Sequence, residues 1–137
     1  DFASFKNNLK SKCTRDYIFF IDADEYPAYD LINNIHEVLE LNPEIELYAL
    51  PRINTVEGLT QEHIDQWRWN VNEEGWVNYP DYQTRIIKNI PAINWAGKVH
   101  ERLVGAKVGI ALPQGYDLIH PKDIERQERQ NALYDTL

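Results

Sequence analysis

The chain has 137 residues, 43% of them apolar and 12% aromatic, which is enough for one sizeable core and too apolar for a disordered chain. Its 14 Lys and Arg against 22 Asp and Glu give a formal charge of −8. With no basic block, that balance argues against a nucleic-acid binder, and any phosphate-bearing ligand needs a different source of positive charge, most simply a divalent metal.

Phe2, Phe5, Leu9 and Cys13 recur at helical spacing, so the first segment is expected to be an amphipathic helix ending before Thr14-Arg15-Asp16. It opens on Asp1 rather than Met, which points to processing or excision from something longer. Cys13 is the lone cysteine, and no Cys/His spacing suggests zinc, so a reducing, cytoplasmic setting is expected. Residues 17–21 are aromatic and β-branched and predict a buried strand, followed at once by Asp22-Ala23-Asp24-Glu25. Pro27 opens a helix that shows Leu31, Ile35, Val38 and Leu39 on one face, and Asn42-Pro43 closes it. Residues 45–50 predict a second strand, and the strand, helix, strand order predicts α/β layering with parallel pairing.

From Arg52 to Asp81 the periodicity dissolves, and Trp67, Trp69, Trp76 and Tyr79 are interleaved with acids and amides. An ordered functional excursion is expected there. Short strands are predicted over 84–88, 98–104, 107–112 and 116–119, with Pro91, Gly97 and Gly105 between them. The tail from 123 to 137 reads as a solvated helix capped by Asp123 and weakly anchored by Ile124 and Leu133. No run is long and apolar enough to span a membrane, no signal-peptide pattern is present, and no linker divides the chain, so one soluble domain over 1–137 is expected.

Three clusters carry chemistry. Asp22 and Asp24 follow an apolar strand, and on an extended chain their side chains point the same way, roughly 7 Å apart at Cα, with Ala23 turned inward. Such carboxylates suit Mn²⁺ or Mg²⁺, whose remaining ligands are commonly water and phosphate; a solvated turn with a helix cap reads equally well. In Asn94-Trp95-Ala96-Gly97-Lys98-Val99-His100-Glu101-Arg102, Gly97 permits close backbone approach. Glu101 faces opposite to His100 and Arg102 there, and a Trp-lined pocket would raise its pKa toward that of a general base, unless the segment is simply a surface strand. His120, at the end of the strand over 116–119, is either a structural histidine or the completion of an Asp-rich metal site.

In this order, the segments Asp1 to Asn7, Tyr17 to Glu25, Tyr82-Gln83-Thr84-Arg85, Trp95 to Glu101 and Leu118-Ile119-His120 resemble the later part of a family 2 glycosyltransferase of the GT-A fold. The resemblance covers nearly the whole chain. It implies an α/β domain of abbreviated GT-A type, a Rossmann-like mixed sheet flanked by helices. It also implies Mn²⁺ or Mg²⁺ at Asp22, Asp24 and His120, with Asp22 near the ribose and Asp24 on the metal itself.

A nucleotide-sugar donor of the UDP-glucose or UDP-galactose type would meet Asp22, Ala23, Asp24, Arg85 and the segment holding Trp95, Gly97 and Lys98. Lys6 and Asn7 match an Arg-Asn pair near the nucleotide, with Lys lacking the bidentate fork of Arg. Glu101 matches the acidic base of inverting members, with His100 beside it. Trp67, Trp69, Trp76 and Tyr79 are assigned to a glycan or other hydroxyl acceptor, because flat rings stack on sugar faces.

The family's opening nucleotide-binding strand and base-reading Asp have no counterpart here. The chain is therefore expected to be either a fragment or an abbreviated enzyme with loose base specificity, its base recognition rebuilt elsewhere or across a homodimer. Two rivals follow. One is a non-catalytic module that binds a glycan or a partner subunit. The other, an Asp-based phosphatase, is disfavoured by Glu25-Tyr26 after the acids and by the lack of a Lys motif.

Overall fold

The computed structural model describes residues 1–98 and 100–136; Val99, expected within the strand over 98–104, and Leu137, expected to end the last helix, lie outside them. Among the described residues the chain forms four helices and a mixed sheet, an α/β arrangement. No helix there is long and apolar enough to cross a membrane.

Helix α1 (Phe2–Ser11) is capped by the Asp1 carboxylate, which accepts from Ser4 N–H at 2.7 Å. Its expected apolar face is not the face it packs with. Phe2, Phe5 and Leu9 are 61%, 60% and 43% exposed, Cys13 is exposed too, and the buried residues are Ala3 and Lys10. Polar bonds dock the helix: Lys10 Nζ donates to Ile90 O at 2.9 Å, and Asn7 clasps the backbone of Trp95 with Nδ2 donating at 2.9 Å and Oδ1 accepting at 2.8 Å.

Strand β1 (Tyr17–Phe19) leads through a turn to β2 (Tyr26–Pro27) and α2 (Tyr29–Leu41), whose apolar face is as expected: Leu31 is fully buried, with Ile35, Val38 and Leu39 packed beside it. Strand β3 (Leu47–Glu57) runs well past the expected end at Leu50, and α3 (Gln61–Trp67) interrupts the excursion. Strand β4 (Asp81–Lys88) is followed by a small hairpin of β5 (Asn94–Ala96) and β6 (Arg102–Val104), the latter being, among the described residues, the part of the strand expected over 98–104 that forms. Gly97 explains the shortening. Its φ of +104 turns the chain, and a Cβ there would stand 3.1 Å from His100 O. Last come β7 (Gly109–Ala111), β8 (Leu118–Asp123) and α4 (Ile124–Asp135).

The sheet order is β1-β4-β3-β8-β2, with β7 also on β3. The expected parallel neighbours, β1 and β3, run in the same direction but are separated by β4, antiparallel to both. β4 suits the interior because Ile86 and Ile87, 1% and 0% exposed, feed opposite faces. Ile86 joins Leu31, Tyr48, Leu50 and Leu118, whereas Ile87 joins Ile18 and Ile93. β8 starts two residues later than expected and continues through Pro121, which is tolerated because β2 pairs only with Leu118 and Ile119 and leaves that edge open. Asp123 caps α4 as expected, accepting from Arg126 N–H at 2.7 Å. Ile124 is half-buried against Gly58, but Leu133 is 60% exposed and anchors nothing; the buried residue of α4 is Gln127.

The two apolar groups should respond oppositely to truncation. Leu31→Ala should cost about 2–5 kcal/mol in urea denaturation, as expected for a buried leucine, whereas Phe5→Ala should change stability by no more than about 0.5 kcal/mol.

Candidate functional site

The segment after β1 is a turn, not an extended strand end. Glu25 N–H donates to Asp22 O at 3.0 Å, and Asp22 N–H donates to Glu25 Oε1 at 3.0 Å. Ala23, expected to point inward, is exposed, and the inward residue is Glu25. Arg85 forks onto the Glu25 carboxylate through Nη1 and Nη2, the latter at 3.0 Å, and Arg52 Nη1 donates to Oε2 at 2.9 Å. Burial alone would raise the Glu25 pKa, but the Asp22 amide and the two guanidiniums more than offset it, so the carboxyl is held below its ordinary value. Arg85, expected at the donor, is thus committed mainly to Glu25, with Asp22 Oδ2 3.4 Å away.

From Arg52 the polar contacts continue across the sheet. Asp81 Oδ2 accepts from Arg52 Nε and Nη2 at 3.1 and 2.9 Å and from Asn54 Nδ2 at 2.8 Å. Asn54 Oδ1 lies 2.9 Å from His120 Nδ1, and His120 Nε2 lies 3.0 Å from Asp24 Oδ2. This network fixes one proton of the ring. With its nitrogen on a carboxylate, Asn54 presents only an acceptor to His120, so Nδ1 carries the proton. Burial lowers the His120 pKa, aided by Arg52 and Lys122 and opposed by the Asp24 carboxylate that Nε2 approaches.

Of the three residues expected at a metal, Asp24 and His120 are brought together. Asp22 stands apart, its side chain 57% exposed against 25% for Asp24, although both border one cavity of about 390 Å³ with His120. Among the described residues no three His, Cys, Asp or Glu side chains gather as a metal cage. Burial tends to raise the Asp24 pKa, but bonds from His120 and Arg126 outweigh it and keep the group ionised.

A second cavity, about 520 Å³, meets the first at Asp22 and is bordered by Lys6, Arg85, Trp95 and Glu101. Trp95 is 8% exposed, stands edge-on to Phe20, and leaves its indole Nε1–H without an acceptor among the described residues. Lys6 sits 4.0 Å above the Trp95 ring and pairs with Glu101 at 2.7 Å. That pair overturns the expected raised pKa of Glu101: desolvation pushes it up, but Lys6, a backbone bond and His100 together bring it below the ordinary value. His100, Gly97 and Lys98 are exposed on the turn beside it. Asn7 is committed to holding Trp95 in place.

The excursion aromatics form ring pairs, Trp67 with Trp69 at 4.7 Å and Trp76 with Tyr79 at 4.8 Å. Trp69 borders a cavity of about 220 Å³ with Asn54, Asp81 and Lys122, whereas Tyr79 donates to Asp117 at 2.6 Å and its pKa is driven far up by burial and that carboxylate. Arg52, Asn54, Asp81, Lys122 and Arg126 were not legible as site residues, because no local pattern marks a polar residue that becomes functional through a partner on another strand.

The chain matches no protein-family model and no curated protein.

Removing the buried carboxylate tests the network. Glu25→Gln leaves two guanidiniums underpaired and should cost about 3–5 kcal/mol in chemical denaturation. Because folding lowers the Glu25 pKa, its contribution is complete above the unfolded Glu value, near 4.3, and fades as pH falls through the lower folded value. The unmodified chain should lose stability over that acid window, and Glu25→Gln should flatten the loss.

Proposed function

We propose that this chain is a metal-dependent, inverting glycosyltransferase of the GT-A, family 2 type. It would move a hexose from a nucleotide-diphosphate donor, by preference of the UDP-glucose or UDP-galactose type, to a hydroxyl of a glycan or another acceptor. The observation that carries this reading is the approach of His120 Nε2 to Asp24 Oδ2 at 3.0 Å, with Nδ1 bonded to Asn54, on a cavity that Asp22 also borders. Two cis ligands of one octahedral cation, each at about 2.1 Å, lie roughly 3.0 Å apart. A neutral imidazole with its other nitrogen hydrogen-bonded is also the usual form of a metal-ligating histidine.

Asp24 and His120 would hold Mn²⁺ or Mg²⁺, with Asp22 at the rim. Such an ion supplies positive charge for the diphosphate leaving group, the charge that an acidic chain lacks. The second cavity gives the acceptor side. As the acceptor oxygen attacks the anomeric carbon and the bond to the diphosphate breaks, Glu101 takes the hydroxyl proton; Lys6 keeps its carboxylate ionised and in place. A ligand acceptor over Trp95 would satisfy the stranded indole N–H. Trp69 and its cavity provide a sugar-sized polar recess with one aromatic wall.

A second reading, a module that binds a glycan or partner without catalysis, draws on the Lys6–Glu101 and Arg126–Asp24 pairs, which occupy the two acids the chemistry uses. Donor turnover separates the two. UDP release in the presence of acceptor should require Mn²⁺ or Mg²⁺, and Asp24→Ala should lower it at least about 100-fold, a loss of some 3 kcal/mol of leaving-group stabilisation. Glu101→Gln should keep UDP binding and lose about 10²–10⁴ in turnover. Metal-independent release, or full activity in Asp24→Ala, overturns the transferase reading. Glycan binding with no metal-dependent UDP affinity establishes the second.

A further inference from the structure

The cavity beside Asp24 has a wall that the metal reading does not use. One face of α4 lines it: Arg126, Arg129, Gln130 and Leu133, at i, i+3, i+4 and i+7. With Lys122 from β8 they place three cations against the two carboxylates of Asp22 and Asp24, a local excess of positive charge on a chain whose total is −8. Lys122 Nζ is steered by two neutral acceptors, Gln127 Oε1 at 3.3 Å and Gln130 Oε1 at 2.9 Å, and makes no ion pair among the described residues. Arg129 makes no ion pair or side-chain hydrogen bond among the described residues.

Arg126 is placed differently. Its Nη2 donates to Asp24 Oδ2, the same oxygen that faces His120 Nε2. A guanidinium is already on the carboxylate that a metal would take, and an oxygen so occupied is a poor metal ligand. The side chain is 46% exposed at the mouth of a cavity of about 390 Å³, so it has room to move.

We propose that this face of α4 is the diphosphate-binding wall of the site, and that Arg126 is an exchangeable cation: it neutralises Asp24 in the ligand-free chain and transfers to the diphosphate when metal and nucleotide arrive together. The inference rests on the metal-dependent reading and adds to it residues outside the metal pair. Guanidinium forks match phosphate oxygens, and a small divalent ion held by only two side chains completes its shell with phosphate and water. Metal and nucleotide then bind cooperatively, because each removes an obstacle to the other: the diphosphate draws Arg126 off Asp24, and the metal replaces the charge that leaves.

Two binding measurements, neither needing turnover, test this. Mn²⁺ affinity without nucleotide is read by electron paramagnetic resonance, and UDP affinity at saturating Mn²⁺ by calorimetry. Arg126→Ala should bind Mn²⁺ alone about tenfold more tightly than the unmodified chain and bind UDP with Mn²⁺ about tenfold more weakly, the size expected for one charged hydrogen bond. Arg129→Ala should weaken UDP similarly and leave Mn²⁺ alone unchanged, and Arg126→Lys should restore part of both effects. Both sites are exposed and alanine favours a helix, so far-UV circular dichroism should stay unchanged. Arg15→Ala, exposed and before β1, controls for net charge and should match the unmodified chain.

The proposal is overturned if Arg126→Ala leaves Mn²⁺ affinity unchanged or weaker, if it leaves UDP affinity unchanged, or if Arg15→Ala reproduces its effects. If the unmodified chain binds UDP only with Mn²⁺ and the variants follow it, the α4 assignment alone falls. If the unmodified chain shows no Mn²⁺-dependent UDP binding, the transferase reading falls with it.

Discussion

A carboxylate without exposed side-chain surface, Glu25, lies between two arginines, and the site is built outward from it. An ionised group so placed is tolerable only when its oxygens are all engaged, and here two guanidiniums and a backbone N–H engage them. The same contacts fix the turn, since the Asp22 amide must lie over Glu25 Oε1. Asp22 is thereby presented outward and Asp24 toward β8. A neutral residue at position 25 would leave the turn without its inward anchor.

The sheet order carries this constraint to the histidine. Arg52 lies directly across from Asp81 on the antiparallel side of β3, and Asn54 directly across from His120 on the parallel side. The central strand therefore hands a fixed orientation from one neighbour to the other through two side chains on one face. His120 acquires its ring orientation from a strand that the sequence places 66 residues away, and meets an aspartate 96 residues away. Rigid strands give this alignment a precision that the loops around it do not have.

Much of the fold was legible. The apolar stripe of α2, the Asp123 cap and the short buried strand before the acids follow from periodicity and local chemistry. What was not legible is what depends on partners. Periodicity marked Phe2, Phe5 and Leu9 as one face of α1, but a stripe states that a face is apolar and not that anything covers it; Asn7 and Lys10 decided the docking. The insertion of β4 between β1 and β3 is a choice among strands of similar composition. The extended reading of Asp22 and Asp24 failed because it took neighbours two apart as a strand pair, when the third acid, buried behind them, folds the segment back.

Asp22 borders the cavity of Asp24 and His120, the cavity of Glu101 and Trp95, and the groove along Phe2 and Phe5. These compartments share one wall, and that wall is a single exposed side chain on a turn. Sequence drift at this position cannot reshape the cavity beside His120 while sparing the one beside Glu101: the two must diversify together, and variation confined to one cavity has to come from the outer residues of α4 or of the hairpin formed by β5 and β6.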